Sequence, residues 1–171
     1  ARCASLLPVI GGLEGPLALL EVGASAGLCL HPDRWSYRYL DDAGAQVARV
    51  DPSSGPSPVV LDCTVRGPAA IPPSLPEVVW RGGIDLNPLD LSVPDTARWL
   101  ETLVWPEHED RRARLAAACR AVADAPVDIT RGDLLAAGRL DNLTSVWASL
   151  EALLAAKDDA EDILVLAAFN H

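Results

Sequence analysis

The sequence predicts an α/β domain built on a mostly parallel β-sheet, and three short segments lead to this prediction. Each is apolar or β-branched and ends in a carboxylate beside a turn: residues 17–22 with Glu21, residues 83–86 with Asp85, and residues 127–133 with Asp133. In open α/β sheets the carboxyl ends of the parallel strands form the edge where ligands bind. We therefore expect these three acids to lie at one edge of the sheet.

The first predicted strand runs over residues 17–22 and leads into a turn of small residues, residues 23–27. Glycine lets the backbone come close to a ligand, and a helix N-terminus after such a turn presents free N–H groups to it. We expect this helix to start near Ala24 and to end before Pro32, because proline cannot continue a helix interior.

An insertion over residues 33–76 follows this first unit. Residues 35–40 alternate aromatic and polar side chains, residues 41–44 provide turn chemistry, and residues 46–50 return, which predicts a hairpin. With a third strand over residues 59–65, we expect a small antiparallel β-insertion. The alternating Trp35, Tyr37 and Tyr39 indicate one packed face of this small sheet. The insertion separates Gly23 from Asp85 by 62 positions, which excludes a standard NAD fingerprint with its spacing of roughly 20.

Helices are predicted after the second acidic segment, and the chain ends on a further strand. Pro94 opens a helix to about residue 104, and Pro106 opens another to about residue 123, whose arginines we interpret as a solvent-exposed face. A last helix covers residues 143–156 and precedes an apolar strand ending at Phe169. With helices on both faces of the sheet, the pattern predicts a single Rossmann-like domain over residues 1–171.

Composition restricts the class of protein. The 171 residues carry a net charge of −10 and include one lysine, which argues against binding to nucleic-acid phosphates. The longest apolar runs are too short to cross a membrane, so we expect a cytoplasmic protein. The four cysteines form no Cys-x-x-Cys pair and predict neither a zinc site nor a disulfide framework.

The absence of methionine indicates that the chain does not begin at a translation start, so we expect further residues before Ala1 and after His171. The last strand is apolar throughout, as in strands that are buried on both faces of a parallel sheet. An uncovered strand of this kind would pair with another copy, which predicts a homo-oligomer.

The acidic segments resemble those of the class I S-adenosylmethionine-dependent methyltransferases. The resemblance implies that S-adenosylmethionine is the cofactor, with its methionine part on the glycine turn, its ribose hydroxyls on Asp85 and its adenine amine on Asp133. The cofactor-binding residues it implies are Glu21, Gly23, Ala24, Ser25, Gly27, Asp85, Asn87, Gly132 and Asp133. Asn170 and His171 follow the last strand, so we expect them to border the reacting methyl group.

A closer resemblance covers nearly the whole chain. Residues 19–30, 59–68, 75–79, 83–90, 103–106 and 131–133 are similar to the bacterial domain-of-unknown-function family 2332. The sequence departs from that family at Cys29, where we expect Asn, and at residues 168–171, which read Ala-Phe-Asn-His. The family is uncharacterised, so this resemblance implies the fold, and the methyl acceptor, a small molecule or a protein, stays open.

Two other functions remain open. Residues 23–27 also fit the Gly-x-Ser-x-Gly nucleophile elbow of a serine hydrolase, in which Ser25 would need His171 and an acid such as Asp133 or Asp162. Alternatively, the domain is a non-catalytic ligand-binding or assembly module, because the sequence shows no complete catalytic set.

Overall fold

The computed structural model describes residues 2–132 and the backbone of residues 163–167. Its helices are α1 (Arg2–Ile10), α2 (Pro94–Thr102) and α3 (Glu109–Val122). Its strands are β1 (Leu17–Val22), β2 (Ser36–Leu40), β3 (Gln46–Val50), β4 (Val60–Thr64), β5 (Val78–Asp85), β6 (Asp128–Arg131) and β7 (Ile163–Ala167). Two short 3-10 turns, Leu28–Leu30 and Pro32–Arg34, lie between β1 and β2.

The main sheet has the strand order β6-β5-β1-β7, and every described pair in it is parallel. Glu21 lies opposite Gly83, and Asp85 lies opposite Arg131. The carboxyl ends of β1, β5 and β6 therefore meet at one edge. This confirms the prediction of an α/β fold with a parallel sheet, and it brings the glycine turn next to Asp85.

The insertion forms a second, three-stranded sheet of order β3-β2-β4. The predicted hairpin is confirmed, since β2 and β3 are antiparallel, but β4 pairs with β2 in parallel. The prediction of a purely antiparallel insertion was therefore wrong. The proline-rich loop after β3 carries the chain across to the free edge of β2, so that β4 runs in the same direction as β2.

The aromatic residues of the insertion pack in the core, as the alternation predicted. Trp35, Tyr37 and Tyr39 are all buried. The Tyr37 hydroxyl donates to the carbonyl of Pro32 over 2.6 Å, and the Tyr39 hydroxyl donates to the carbonyl of Ala4 in α1 over 2.8 Å. Buried hydroxyls need such partners. These bonds fix the second sheet to α1 and to the turn after the glycine loop.

The predicted α-helix after the glycine turn does not form. Gly27 has a φ of 69°, in the left-handed region, and Pro32 follows five residues later, so only the 3-10 turn Leu28–Leu30 fits between them, and the second 3-10 turn starts at Pro32. The sequence patterns also gave no indication of α1. In the helix that was predicted from Pro106, regular structure starts at Glu109.

The prediction of a solvent-exposed arginine face on α3 holds for Arg111, Arg112 and Arg120, which are exposed, whereas Arg114 is half-buried. Within the described segments, no helix has the length and apolar character needed to cross a membrane. The predicted helix over residues 143–156 and three predicted site residues, Asp133, Asn170 and His171, lie outside the described residues.

Candidate functional site

The candidate site lies where the turn after β1 meets the end of β5. Gly23 and Ala24 both donate their N–H groups to the carbonyl of Ile84, over 2.8 and 3.3 Å. The Ser25 N–H donates to the Asp85 carboxylate over 2.7 Å. The structure thus brings Gly23, Ala24, Ser25 and Asp85 together. The N–H groups of this turn that we expected to face a ligand are instead used to hold the turn against β5.

Asp85 joins three of the predicted segments. Its Oδ2 accepts the Ser25 N–H, and its Oδ1 accepts the Asn87 N–H, also over 2.7 Å. Its backbone carbonyl accepts the Gly132 N–H over 2.9 Å. The half-buried Asp85 side chain is therefore held in one position at the sheet edge, with Asn87 and Gly132 beside it.

Two glycines near the site are needed for different reasons, Gly83 for close packing and Gly23 for its backbone conformation. A Cβ atom on Gly83 would lie 2.6 Å from the Cβ of Ala24, so only glycine lets the turn pack directly on β5. Gly23 differs, because its φ is +76° and a Cβ there would meet no atom of the described residues within 4 Å. Gly23 is therefore needed for its backbone conformation, and the described residues leave the space above the end of β1 open.

Glu21 is not at the exposed rim with Asp85. Its side chain is buried, and its Oε2 has no hydrogen-bond partner among the described residues. Burial, together with the nearby negative charge of Cys29, raises the pKa of Glu21 to about 8. At neutral pH the carboxyl group is therefore mostly protonated, and it contacts Cys29 and lies close to Arg2.

A partly buried polar cluster that the sequence patterns did not indicate lies behind the turn. Arg81, within β5, donates to both carboxylate oxygens of Asp33 over 3.2 and 3.1 Å and to Nδ1 of His31 over 2.7 Å. Burial and then the Arg81 charge lower the pKa of His31 to about 4. His31 is therefore neutral, and because Nδ1 accepts from Arg81 its proton is on Nε2.

A cavity of about 390 Å³ adjoins this edge. Ala26 and His31 line it from the turn side, residues 88–92 from the loop after β5, and residues 122–129 from the segment that leads into β6. Asp85 is not among its lining residues. Leu89 donates its N–H to the Ser25 carbonyl over 3.0 Å, which ties the loop after β5 to the glycine turn.

Comparison with known proteins identifies the family. A family model described as an uncharacterized protein conserved in bacteria (DUF2332) matches residues 1–160. The chain belongs to this family. Neither the curated proteins nor the solved structures provide a match.

Membership of the DUF2332 family confirms the closer of the two resemblances drawn from the sequence and assigns no reaction. His31 and Glu21, whose pKa values are both shifted, have partners far along the chain or in α1. No sequence pattern links Arg81 to His31 and Asp33, because Arg81 lies 48 positions after Asp33. Only the fold shows that three groups of residues lie in one region: the glycine turn with Asp85, the cluster around Arg81 and the group around Glu21.

The described residues give little support to the serine hydrolase alternative. The nucleophile elbow requires a strand, a turn and a helix, and no α-helix follows the turn here. Of the two described histidines, His31 binds Arg81 and His108 precedes α3. His171, the expected base, lies outside the described residues.

Ser25→Ala is expected to leave the fold and ligand binding unchanged, since the described contacts of Ser25 are made by its backbone N–H and carbonyl. The free energy of unfolding, measured by thermal denaturation, should change by no more than about 0.5 kcal/mol. A fluorophosphonate probe should label neither the wild type nor the variant. Labelling of the wild type alone would establish Ser25 as a nucleophile and favour the serine hydrolase hypothesis.

Proposed function

We propose that the edge formed by β1, β5 and β6 binds S-adenosylmethionine, and that the protein is a methyltransferase-like member of its family. If the four parallel strands are numbered 1 to 4 as they occur along the chain, their order across the sheet is 3-2-1-4. The doubly wound Rossmann sheet begins with this order and binds ligands where the order reverses, outside the carboxyl end of its first strand. The observation that carries the proposal is the position of Asp85, held beside the turn that follows that strand.

The carboxylate of Asp85 fits a ribose. Each of its oxygens has two acceptor positions, and one on each oxygen is used by the N–H of Ser25 or Asn87. The remaining position on each oxygen can accept one ribose hydroxyl. Because the backbone already fixes the side chain, little rotamer entropy is lost when the ligand binds.

The open space at Gly23 fits the chain of the cofactor. A side chain at this position would extend into the volume above the carboxyl end of β1, where none of the described residues has an atom within 4 Å of an added Cβ. A ligand can therefore run close to the backbone between Gly23 and Asp85. The resemblance places the methionine part of the cofactor on this turn, and the open volume supports that placement.

S-adenosylmethionine, when bound, supplies an electrophilic methyl group on a sulfonium. The residues of the chain then have to bind the cofactor, orient the acceptor in line with the methyl group and exclude water. Asp85 and the glycine turn supply the binding part. The acceptor, whether a small molecule or a protein, and the roles of Asn170 and His171 remain part of the proposal, as do a cytoplasmic location and a homo-oligomer.

Titration calorimetry tests the ligand. The protein should bind S-adenosylmethionine or S-adenosylhomocysteine and should not bind NAD or ATP. Asp85→Ala should weaken binding at least tenfold, because a hydrogen bond to a charged group is worth about 1.5–3 kcal/mol. Asp41→Ala is the matched control, since Asp41 also accepts backbone N–H groups, from Ala43 and Ala45, but lies in the hairpin turn.

The control should keep wild-type affinity, and circular dichroism should show that both variants are folded. Tight NAD binding without any adenosylmethionine signal would contradict the proposal. If Asp85→Ala and the wild type bind S-adenosylmethionine with equal affinity, Asp85 has no role in binding it.

A non-catalytic ligand-binding module is the second candidate, and one observation favours it. The described groups at this edge bind and position a ligand, and Glu21, the titratable group nearest to β1's end, is buried and mostly neutral at pH 7. Cofactor binding without methyl transfer to any tested small molecule or protein acceptor would support this candidate.

A further inference from the structure

Two cysteines that are distant in sequence lie together at the start of the fold. Cys3 is in the first turn of α1, and Cys29 is in the 3-10 turn that follows the glycine loop. The Cys3 Sγ lies 3.9 Å from the carbonyl oxygen of Cys29, and both thiols are free. Both residues line a second cavity, of about 320 Å³, which gives a small reagent access to the pair.

The surroundings make the two thiols unequal. A hydrogen bond from the Cys3 thiol lowers the pKa of Cys29 to about 7, helped by the positive charge of Arg2 and opposed by burial. The same hydrogen bond and burial raise the pKa of Cys3. Cys29 is thus the more acidic thiol of the pair and is partly ionised at neutral pH, which is the arrangement in which a first cysteine reacts and a second one resolves the product.

We propose that Cys3 and Cys29 form a peroxide-reactive dithiol site that closes to a disulfide between α1 and the turn after the glycine loop. The proposal rests on the adjacency of the two thiols, their shared cavity and the neighbouring carboxyl group of Glu21, whose Oε2 has no hydrogen-bond partner among the described residues. It does not depend on the ligand proposed above. The proposed disulfide forms reversibly. It therefore differs from a structural disulfide framework, which the cysteine spacing argues against.

The chemistry balances with a hydroperoxide as the oxidant. The Cys29 thiolate attacks one oxygen of hydrogen peroxide, so that an S–O bond forms, the O–O bond breaks and hydroxide departs with the proton of Glu21 as water. The Cys3 sulfur then attacks the sulfur of Cys29. The S–S bond forms, the S–O bond breaks, and the departing hydroxide takes the Cys3 proton as a second water. Two sulfurs are oxidised, the peroxide is reduced, and Glu21 regains its proton from solvent.

Peptide mapping of the full-length wild-type chain tests the proposal directly. The reduced protein is treated with equimolar hydrogen peroxide, alkylated and digested with a protease that cuts after glutamate. Glu14 and Glu21 both lie between the two cysteines, so the digest separates Cys3 from Cys29 unless a disulfide joins them. We expect the joined peptide, lighter by two hydrogens than its reduced parts, while Cys63 and Cys119 stay alkylated.

Two variants define the roles. Cys3→Ser should accumulate a sulfenic acid on Cys29 that dimedone traps, whereas Cys29→Ser should give no adduct on Cys3. Cys63→Ser is the matched control, since Cys63 is half-buried like Cys29 but lies on β4, and it should form the disulfide as the wild type does. A Cys29 that is oxidised no faster than Cys63, or a peptide map without the Cys3–Cys29 link, would overturn the proposal. The wild-type map decides even if a variant does not fold.

Discussion

Gly83→Ala is expected to destabilise the protein by about 3 kcal/mol, the upper part of the range for overpacking a well-packed site. The added Cβ would lie 2.6 Å from the Cβ of Ala24 and 3.4 Å from Cγ1 of Ile129. Gly83 and Ala24 are both buried, so neither can move aside without separating the glycine turn from β5. Urea unfolding measures the loss as a lower midpoint at constant slope.

Gly82→Ala is the matched control, because it adds the same atom at the neighbouring position of the strand. The Cβ there would approach the ring of Trp80 at 2.5 Å, but Trp80 is 53% exposed and its ring can move into solvent. The control should therefore lose less stability. The double variant Gly83→Ala with Ala24→Gly removes the clashing methyl and should recover part of the loss. No recovery in the double variant would show that the contact with Ala24 is not the cause.

The acidic strand ends at Glu21 and Asp85 were predictable because their signals are local. A run of apolar residues, an acid and a glycine indicate a strand and its turn within about ten positions, and the parallel sheet follows from several such units. Residues 17–22 were predicted with the bounds that β1 has in the structure. The hairpin was predictable for the same reason, since the turn at Gly44 and the alternation of residues 35–40 lie next to each other.

Other features depend on contacts between distant segments. The parallel pairing of β4 with β2 is decided by how a proline-rich loop crosses the sheet, and no residue in either strand indicates its direction. The clusters around Arg81 and around Glu21 each combine residues that are more than 15 positions apart. The absent helix after the turn has a different reason. The left-handed backbone of Gly27 and the closeness of Pro32 leave room for one 3-10 turn between them, although the sequence pattern indicated a helix.

Glu21 is expected to make the stability of the protein fall as the pH rises. Its pKa in the folded protein is raised from an ordinary 4.5 to about 8, chiefly by burial. A carboxyl group with a raised pKa in the folded state contributes its full stability below its unfolded pKa and loses it as the pH rises through the folded pKa. One pKa unit corresponds to about 1.4 kcal/mol, so the loss between about pH 5 and about pH 9 amounts to a few kcal/mol.

Glu21→Gln tests this, because the amide has a similar shape and does not titrate in this range. The difference in free energy of unfolding, wild type minus Glu21→Gln, should decrease steadily from about pH 5 to about pH 9, measured by urea unfolding at each pH. Parallel pH profiles for the two proteins would contradict the assignment of a buried, mostly protonated Glu21.

The same measurement in a Cys29→Ser background separates the two causes of the raised pKa. Burial of Glu21 is unchanged in that background, whereas the negative charge at position 29 is removed. The loss of stability should therefore remain but be smaller and end at a lower pH, since less repulsion opposes ionisation of the carboxyl group in the folded protein. If burial is the larger cause, as the structure indicates, the pH-dependent difference between Glu21 and Gln persists without Cys29. Its complete disappearance would show instead that the Cys29 charge holds the proton on Glu21.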